Sequence, residues 1–131
     1  MEAAYPYQAC GLLVGRFGEQ DLEVVRVALA ANLEHRRAWD RFILAPQDWL
    51  AAEDAARVDG LQVVGIWHSR PDHAALPSAT DLAGAWEGYA YLIVSVGLDG
   101  TQSHDRWRAW QLAGGRFLEQ RIRGLRKGAR R

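Results

Sequence analysis

The sequence predicts an α+β domain with a mixed, mostly antiparallel β-sheet and two or three helices. Several short runs of apolar and β-branched residues are separated by turn residues, which is typical of paired strands. One alanine-rich stretch is long enough for a helix and is followed by a glycine. The chain has 131 residues, of which 49% are hydrophobic, so a single domain can bury a core.

The first half of the chain predicts a hairpin, a short strand and a helix. In chain order, these elements are strands over residues 10–17, 22–29 and 41–44 and a helix over residues 47–58. The polar segment 18–21 favours a turn, so the first two strands are expected to pair. Pro46 suits the first turn of the helix, and Gly60 lies just beyond its end.

The second half predicts a buried strand, a loop, a second helix and three further strands. Residues 61–67 are nearly all apolar, as in a central strand that is buried on both faces, and residues 69–77 follow as a loop. Ser78 can cap a helix that runs to about Trp86. The remaining strands are expected over residues 89–96, 105–112 and 116–122.

Charge and composition disfavour several classes of protein. The 16 basic and 16 acidic residues give a formal net charge of zero, so neither nucleic acid nor a membrane is expected as a partner. Cys10 is the one cysteine, which suits a reducing compartment, and neither a leader nor an apolar run of about 18 residues is visible. The expected location is therefore the cytoplasm. Residues 123–131 are predicted to form a basic tail behind a domain over residues 1–122.

The segment with the most chemistry follows the most hydrophobic strand. His68 and Arg70 are two residues apart, so in an extended chain their side chains point to the same side. Asp81 follows Ser78 by three residues and would lie in the first turn of the next helix, where the helix dipole favours a carboxylate. The pattern therefore brings an imidazole, a guanidinium and a carboxylate towards one spot.

This segment resembles the signature of the JAMM (Mov34/MPN/PAD-1) zinc-protease family, bacterial type: a His-x-His pair, seven residues, then Ser-x-x-Asp. His68, Ser78 and Asp81 stand at matching spacings. Residues 5–15 resemble the opening strand of the family, which usually reads Tyr-Pro-x-Glu-x-Cys-Gly-Leu-Leu. Similar residues recur at Asn32, Phe42, 64–67 and 91–96. The resemblance covers nearly the whole chain and implies the JAMM/MPN fold, which is cytidine-deaminase-like.

For active members, the resemblance implies metal-assisted amide hydrolysis. Two histidines and an aspartate hold zinc and leave one position for water, a glutamate acts as the base, and a serine helps to stabilise the oxyanion. By resemblance, His68 and Asp81 match the first and last zinc ligands, and Ser78 matches the oxyanion serine. The implied partner is the C-terminal tail of a ubiquitin-like or sulfur-carrier protein.

Two positions depart from the family pattern. Gln8 stands at the position of the glutamate base, and a carboxamide cannot shuttle a proton. Arg70 stands at the position of the second zinc histidine, and a guanidinium has no lone pair for a metal. We therefore expect little bound zinc and little or no peptidase activity. We also expect Arg70 to replace the metal electrostatically by pairing with Asp81.

Other residues offer alternatives or are expected to be structural. His73 could serve as a substitute zinc ligand, although a loop histidine that faces water is the commoner use. His35 and His104 are expected in surface loops, and Cys10 is expected to be a small buried residue rather than a nucleophile. The family usually has a strand and a helix before the Tyr-Pro pair at Tyr5, and a core left uncovered there would favour a homodimer.

Three functions remain open on sequence grounds. The first is an inactive JAMM protein that is kept as a binding or scaffold module for a ubiquitin-like tail. The second is an active zinc-dependent metallopeptidase or isopeptidase that uses His68, Asp81 and His73. The third is a subunit whose task is to pair with an active JAMM partner.

Overall fold

The computed structural model describes residues 8–34, 42–78, 81, 85–96 and 107–123. Within these residues it contains one six-stranded sheet and one helix of 13 residues. In chain order the elements are β1 (Cys10–Phe17), β2 (Leu22–Ala30), α1 (Pro46–Val58), β3 (Gln62–Pro71), β4 (Ala90–Val96), β5 (Trp107–Ala113) and β6 (Arg116–Gln120). The strand order is β2-β1-β3-β4-β5-β6, in which β3 and β4 run parallel and the other neighbours run antiparallel. The predicted α+β fold with a mixed, mostly antiparallel sheet is confirmed.

β3 extends further than the sequence pattern indicates. The predicted strand ends at residue 67, but the pairing with β4 continues as far as Pro71. Ser69 adds an anchor to β1, because its N–H donates to the Ala9 carbonyl at 3.0 Å and its hydroxyl accepts from the Ala9 N–H at 2.8 Å. His68 and Arg70 therefore lie on a regular strand, and residues 69–71 are not part of a loop.

Other predicted elements are shorter than expected or lie outside the described residues. The strand predicted over residues 41–44 is reduced to one bridge between Asn32 and Leu44, and residue 41 lies outside the described part of the chain. The following predicted features also lie outside it: the opening residues 1–7, His35, His104, residues 79–80 and 82–84 of the second helix, residues 105–106 and residues 124–131 of the tail.

α1 packs against the sheet and ends close to β2. Pro46 begins the helix, as the sequence predicts, and Ala52 and Ala56 are its buried residues. Asp48 accepts a 2.7 Å hydrogen bond from the Ala31 N–H, so the start of the helix is tied to the end of β2. No helix in the described part of the chain is long and apolar enough to cross a membrane.

Two clusters of apolar side chains form the core. The cluster that includes the helix residue consists of Leu12, Ala52, Val63, Ile66 and Tyr91. The second cluster consists of Leu13, Val64 and Trp67. Because side chains alternate along a strand, Ile66 places His68 and Arg70 on the same face of the sheet as α1. The candidate site therefore lies at the end of the main core.

Gly11 lies where β1 passes the indole of Trp67. The indole N–H of this β3 residue donates to the Ala28 carbonyl of β2 at 3.3 Å, so the side chain reaches across the intervening strand. A Cβ on Gly11 would collide with both the Ala28 carbonyl oxygen and the Trp67 ring. Gly11 is therefore required by close packing between the strands, since its φ is not among the positive values.

Candidate active site

His68 lies near the end of β3, with Cys10 of β1 and Ile93 of β4 as its neighbours in the sheet. Its side chain is 2% exposed, and its ring stacks on Phe42 with the ring centroids 4.6 Å apart. Neither ring nitrogen has a hydrogen-bond partner among the described residues. Because an unsatisfied polar group is costly when buried, these nitrogens are suited to a ligand that the chain itself does not supply.

Ser78 and Asp81 form a reciprocal cap at the start of a helical turn. The Ser78 N–H donates to Asp81 Oδ2 at 2.8 Å, and the Asp81 N–H donates to Ser78 Oγ at 3.0 Å, which is the arrangement of a capping box. The same Oδ2 lies 3.4 Å from His68 Nε2. That separation is longer than an ordinary hydrogen bond, so the cap is what holds the carboxylate in place. These two hydrogen bonds are the ones that the prediction of a helix cap at Ser78 requires.

The charge of Asp81 depends on its surroundings. Burial disfavours the charged form and would raise the pKa of this carboxyl group. The neighbouring His68 and the hydrogen bonds with Ser78 act in the opposite direction and outweigh burial, so the pKa of Asp81 lies below its ordinary value of 3.8. Asp81 is therefore a carboxylate at neutral pH, and folding is linked to its charge.

We expect Asp81→Asn to reduce the loss of stability that acid causes. A group whose pKa is lowered by folding stabilises the native state above its unfolded pKa, and this contribution is lost as the pH falls through the folded pKa. The wild-type protein should therefore lose more stability than Asp81→Asn between about pH 5 and pH 2. Urea denaturation at both pH values measures the difference, with Asp54→Asn as the control for removal of an exposed charge. Equal acid sensitivity of the wild type and Asp81→Asn would contradict the linkage.

Gln8 lies two residues before the start of β1. Its side chain is 5% exposed, and its Oε1 has no hydrogen-bond partner among the described residues. Because Ala9 pairs with Ser69, continuation of the antiparallel register places Gln8 opposite Arg70. The two residues that depart from the family pattern are therefore neighbours across the strands.

Arg70 is half-buried and bonds to the loop that follows β3. Its Nη1 donates to the Leu76 carbonyl at 2.8 Å. The Asp81 carboxylate instead lies against Ser78 and His68. The expectation that Arg70 pairs with Asp81 is therefore wrong. The physical reason is that the cap orients Asp81, while the turn after β3 brings a backbone carbonyl within reach of the guanidinium.

His73 lies in the turn after β3 with an exposed side chain. Its backbone is held in place, because its carbonyl accepts a 2.6 Å hydrogen bond from the Ser95 hydroxyl. Across the described ranges, no three His, Cys, Asp or Glu side chains lie close enough together to hold a metal ion. The structure thus brings His68 and Asp81 together and does not add His73 to them.

Cys10 is buried, as predicted, and its thiol is not activated. The side chain is 1% exposed and lies 3.9 Å and 3.8 Å from the carbonyl oxygens of Ala30 and Ala31. Burial, with a smaller contribution from the negative charge of Asp48, raises the pKa of the thiol to about 12. Since the thiolate is the nucleophilic form, Cys10 is a packing residue next to His68.

Asn32 is a positioning residue whose role the sequence does not reveal. Its Nδ2 donates to the Gln8 carbonyl at 3.0 Å, and its Oδ1 accepts from the N–H groups of Glu34 and Ile43 at 3.0 Å and 2.9 Å. One side chain therefore ties the entry to β1 to the segment that carries Phe42. An asparagine just after a strand indicates a turn or loop, but the sequence does not show which distant segments its side-chain amide joins.

The residues of the site do not fit the zinc centre that the family resemblance implies. The 3.4 Å between His68 Nε2 and Asp81 Oδ2 is about the distance between two ligands of a tetrahedral zinc ion with bonds of about 2.0–2.2 Å. Arg70 stands where the resemblance implies the second zinc histidine, and its guanidinium has no lone pair and donates to the Leu76 carbonyl. The described residues therefore supply two of the three protein ligands.

Comparison with known proteins shows the same family along most of the chain. The family model for prokaryotic homologs of the JAB domain matches residues 1–113. The desampylase of Haloferax volcanii is 32% identical over 103 residues, which are 78% of this chain and 70% of that protein.

Two solved structures have the same fold. Protein DSY2949 from Desulfitobacterium hafniense matches with a TM-score of 0.77 and 29% identity, covering 91% of this chain and 79% of that one. A protein from Salinibacter ruber matches with a TM-score of 0.66 and 39% identity, covering 92% of this chain and 80% of that one. Since the family model spans residues 1–113, this chain is a prokaryotic member of the JAB (JAMM/MPN) family.

Proposed function

We propose that this chain is a JAB-family protein of the cytoplasm that binds the C-terminal tail of a ubiquitin-like or sulfur-carrier protein without cleaving it. One observation carries the proposal. At the two positions where the family places the base and the second zinc ligand, Gln8 is buried in the site and Arg70 is bonded to Leu76. A tail of this kind is suggested by the family and by the desampylase among its relatives.

The chemistry of the two substituted side chains argues against hydrolysis. Cleavage of an amide needs an activated water and a group that takes its proton, and general base catalysis alone contributes about 10²–10⁴-fold. The amide of Gln8 cannot take a proton, and the carboxylate of Asp81 is already engaged in the capping box. Neither of these side chains is therefore free to act as the base that the family mechanism uses.

Several buried polar atoms of the site lack hydrogen-bond partners among the described residues, and a ligand could supply them. Gln8 Oε1 and both ring nitrogens of His68 are buried without hydrogen bonds inside the described chain. Buried polar atoms are rarely left without a partner, so a bound peptide would satisfy them. Binding and catalysis rest on different contacts, so recognition of a tail can persist after the chemistry is lost.

A second candidate function, an active zinc-dependent peptidase or isopeptidase, is favoured by one observation. His68 and Asp81 have the separation of two zinc ligands, and the nitrogens of His68 have no other partner. This function requires a third ligand, either His73 or a group from the substrate. Its signature would be cleavage that a chelator abolishes.

We expect the purified wild-type protein to bind a fluorescent peptide that ends in the Gly-Gly of a ubiquitin-like protein and to leave an extended version uncut. Elemental analysis should give well below one zinc per chain. Gln8→Ala should weaken binding about tenfold, because it removes a buried hydrogen-bonding group. Gln20→Ala changes an exposed glutamine in the β1–β2 turn and serves as the matched control.

Two outcomes would contradict the proposal. Cleavage of the extended peptide that stops on addition of a chelator would establish the peptidase instead. A peptide that does not bind at all would leave the protein without tail recognition and would favour a subunit that pairs with an active JAMM partner.

A further inference from the structure

Three polar residues, Gln8, His68 and Arg70, stand at the adjacent ends of β1 and β3. His68 and Arg70 alternate on the same face of β3, and the register through Ala9 and Ser69 places Gln8 opposite Arg70. Gln8 and His68 are 5% and 2% exposed, and each carries a polar atom without a partner in the described chain. Arg70 is half-buried, so its guanidinium lies where a ligand can reach it.

Arg70 brings a positive charge to this end of β3. A guanidinium carries a permanent positive charge and five N–H donors. In Arg70, Nη1 donates a hydrogen bond to the Leu76 carbonyl. Among the described residues, no carboxylate forms an ion pair with Arg70. The Asp81 carboxylate accepts a hydrogen bond from the Ser78 N–H and lies 3.4 Å from His68 Nε2.

The chemistry of these groups selects an anionic, planar ligand with an N–H group beside it. Guanidinium groups bind carboxylates through two parallel hydrogen bonds. The Oε1 of Gln8 is an acceptor and would repel a carboxylate oxygen, but it can accept a hydrogen bond from an amide N–H. A chain end, in which the last amide N–H stands next to a free carboxylate, presents both groups.

We infer that the Gln8–Arg70 pair recognises the free C-terminal carboxylate of an already processed tail, rather than a tail that continues past the Gly-Gly. This inference rests on the proposed function and specifies the form of the ligand. Both departures from the family pattern act in the same direction. Glutamine removes a negative charge that would repel a carboxylate, and arginine adds a positive charge that attracts it.

Three peptides that differ in their C-termini test this inference on the intact protein. One ends in Gly-Gly with a free carboxylate, the second has the same sequence with a C-terminal amide, and the third continues beyond Gly-Gly. Fluorescence anisotropy should show that the free carboxylate binds at least about tenfold more tightly than either of the others, since hydrogen bonds to charged groups are the stronger ones. The preference should shrink as the salt concentration rises.

Variants of Arg70 test whether this residue causes the preference for a free carboxylate. Arg70→Gln should bind the carboxylate and amide peptides with the same, weaker affinity, and Arg70→Lys should keep part of the difference, because it keeps the charge but loses the planar fork. Arg16→Gln removes an exposed arginine at the other end of β1 and should behave like the wild type. Thermal melting of each variant checks that it is folded.

The possible failures are distinguishable. If the wild type binds the carboxylate and amide peptides equally, or if Arg70→Gln keeps the preference, this inference is wrong while tail binding stands. If none of the three peptides binds, the proposed function fails as well. Should Arg70→Gln not fold, the comparison of the three peptides on the wild type still decides the question.

Discussion

Gln8→Glu combined with Arg70→His should give a protein that binds about one zinc ion per chain and cleaves a peptide extended beyond Gly-Gly. His68 and Asp81 already hold ligand atoms 3.4 Å apart, and a histidine at position 70 would lie on the same face of β3, two residues further on. When bound there, zinc would supply an activated water. A glutamate at position 8, opposite position 70, would then be placed to take the proton.

The single variants separate the loss of the zinc ligand at position 70 from the loss of the base at position 8. Arg70→His should recover zinc but little turnover, and the double variant should exceed it by roughly 10²–10⁴-fold, which is the usual contribution of a general base. Gln8→Glu alone should remain inactive, because a base without the metal has no water acidic enough to deprotonate. Addition of Asp81→Asn to the double variant is the matched control, since it should remove both metal and cleavage. Elemental analysis and a peptide-cleavage assay with and without chelator provide the measurements.

A double variant that is folded but binds no zinc would show that the site has changed beyond these two residues. The hydrogen bond from Arg70 to Leu76 is the first contact to test, because it links the end of β3 to the loop that precedes Ser78. If that contact sets the loop, Arg70→His would release it and alter the position of the capping box. Recovery of zinc would instead indicate that the capping box holds Asp81 without help from Arg70.

The positions of most strands and of α1 could be predicted from the sequence because they depend on local patterns. Apolar runs, the turn at residues 18–21 and Pro46 are read within a few neighbouring residues. The end of β3 was not accessible in this way. Residues 69–71 are polar or conformationally restricted and look like a loop, yet Ser69 bonds to Ala9 and Pro71 pairs with β4. Such extensions are decided by partners that are distant in sequence.

In the candidate site, too, local spacing could be predicted from the sequence, whereas contacts between distant segments could not. The spacing of His68, Ser78 and Asp81 pointed to a shared location, and the structure brings the three together. The pairing of Arg70 with Asp81 was wrong, because opposite charges were matched without knowledge that the cap already orients the carboxylate. The stacking of Phe42 on His68 and the bonds of Asn32 also depend on how loops return to the sheet. The pattern of residue types does not specify where such loops pack against the sheet.

The packing beneath the site leads to a large expected effect on stability. Gly11 lies beside Cys10, which is opposite His68, and it is covered by the indole of Trp67, which is 1% exposed. An added methyl group would meet the Ala28 carbonyl, which belongs to a paired strand and cannot turn aside. The clash must be relieved by displacement of β1 from β2 or of Trp67 from the core.

We therefore expect Gly11→Ala to destabilise the fold by about 3 kcal/mol or more, the order of cost seen when a large core side chain loses its packing. Urea denaturation gives the free energy of unfolding. Gly60→Ala is the matched control, because Gly60 has open space around its Cα and a φ of +71°, so alanine there costs backbone strain of roughly 1–2 kcal/mol and no collision. Trp67→Phe should partly offset Gly11→Ala, since it removes one of the two colliding groups and leaves the Ala28 carbonyl. A Gly11→Ala variant no less stable than Gly60→Ala would mean that β1 and Trp67 are not packed this closely in solution.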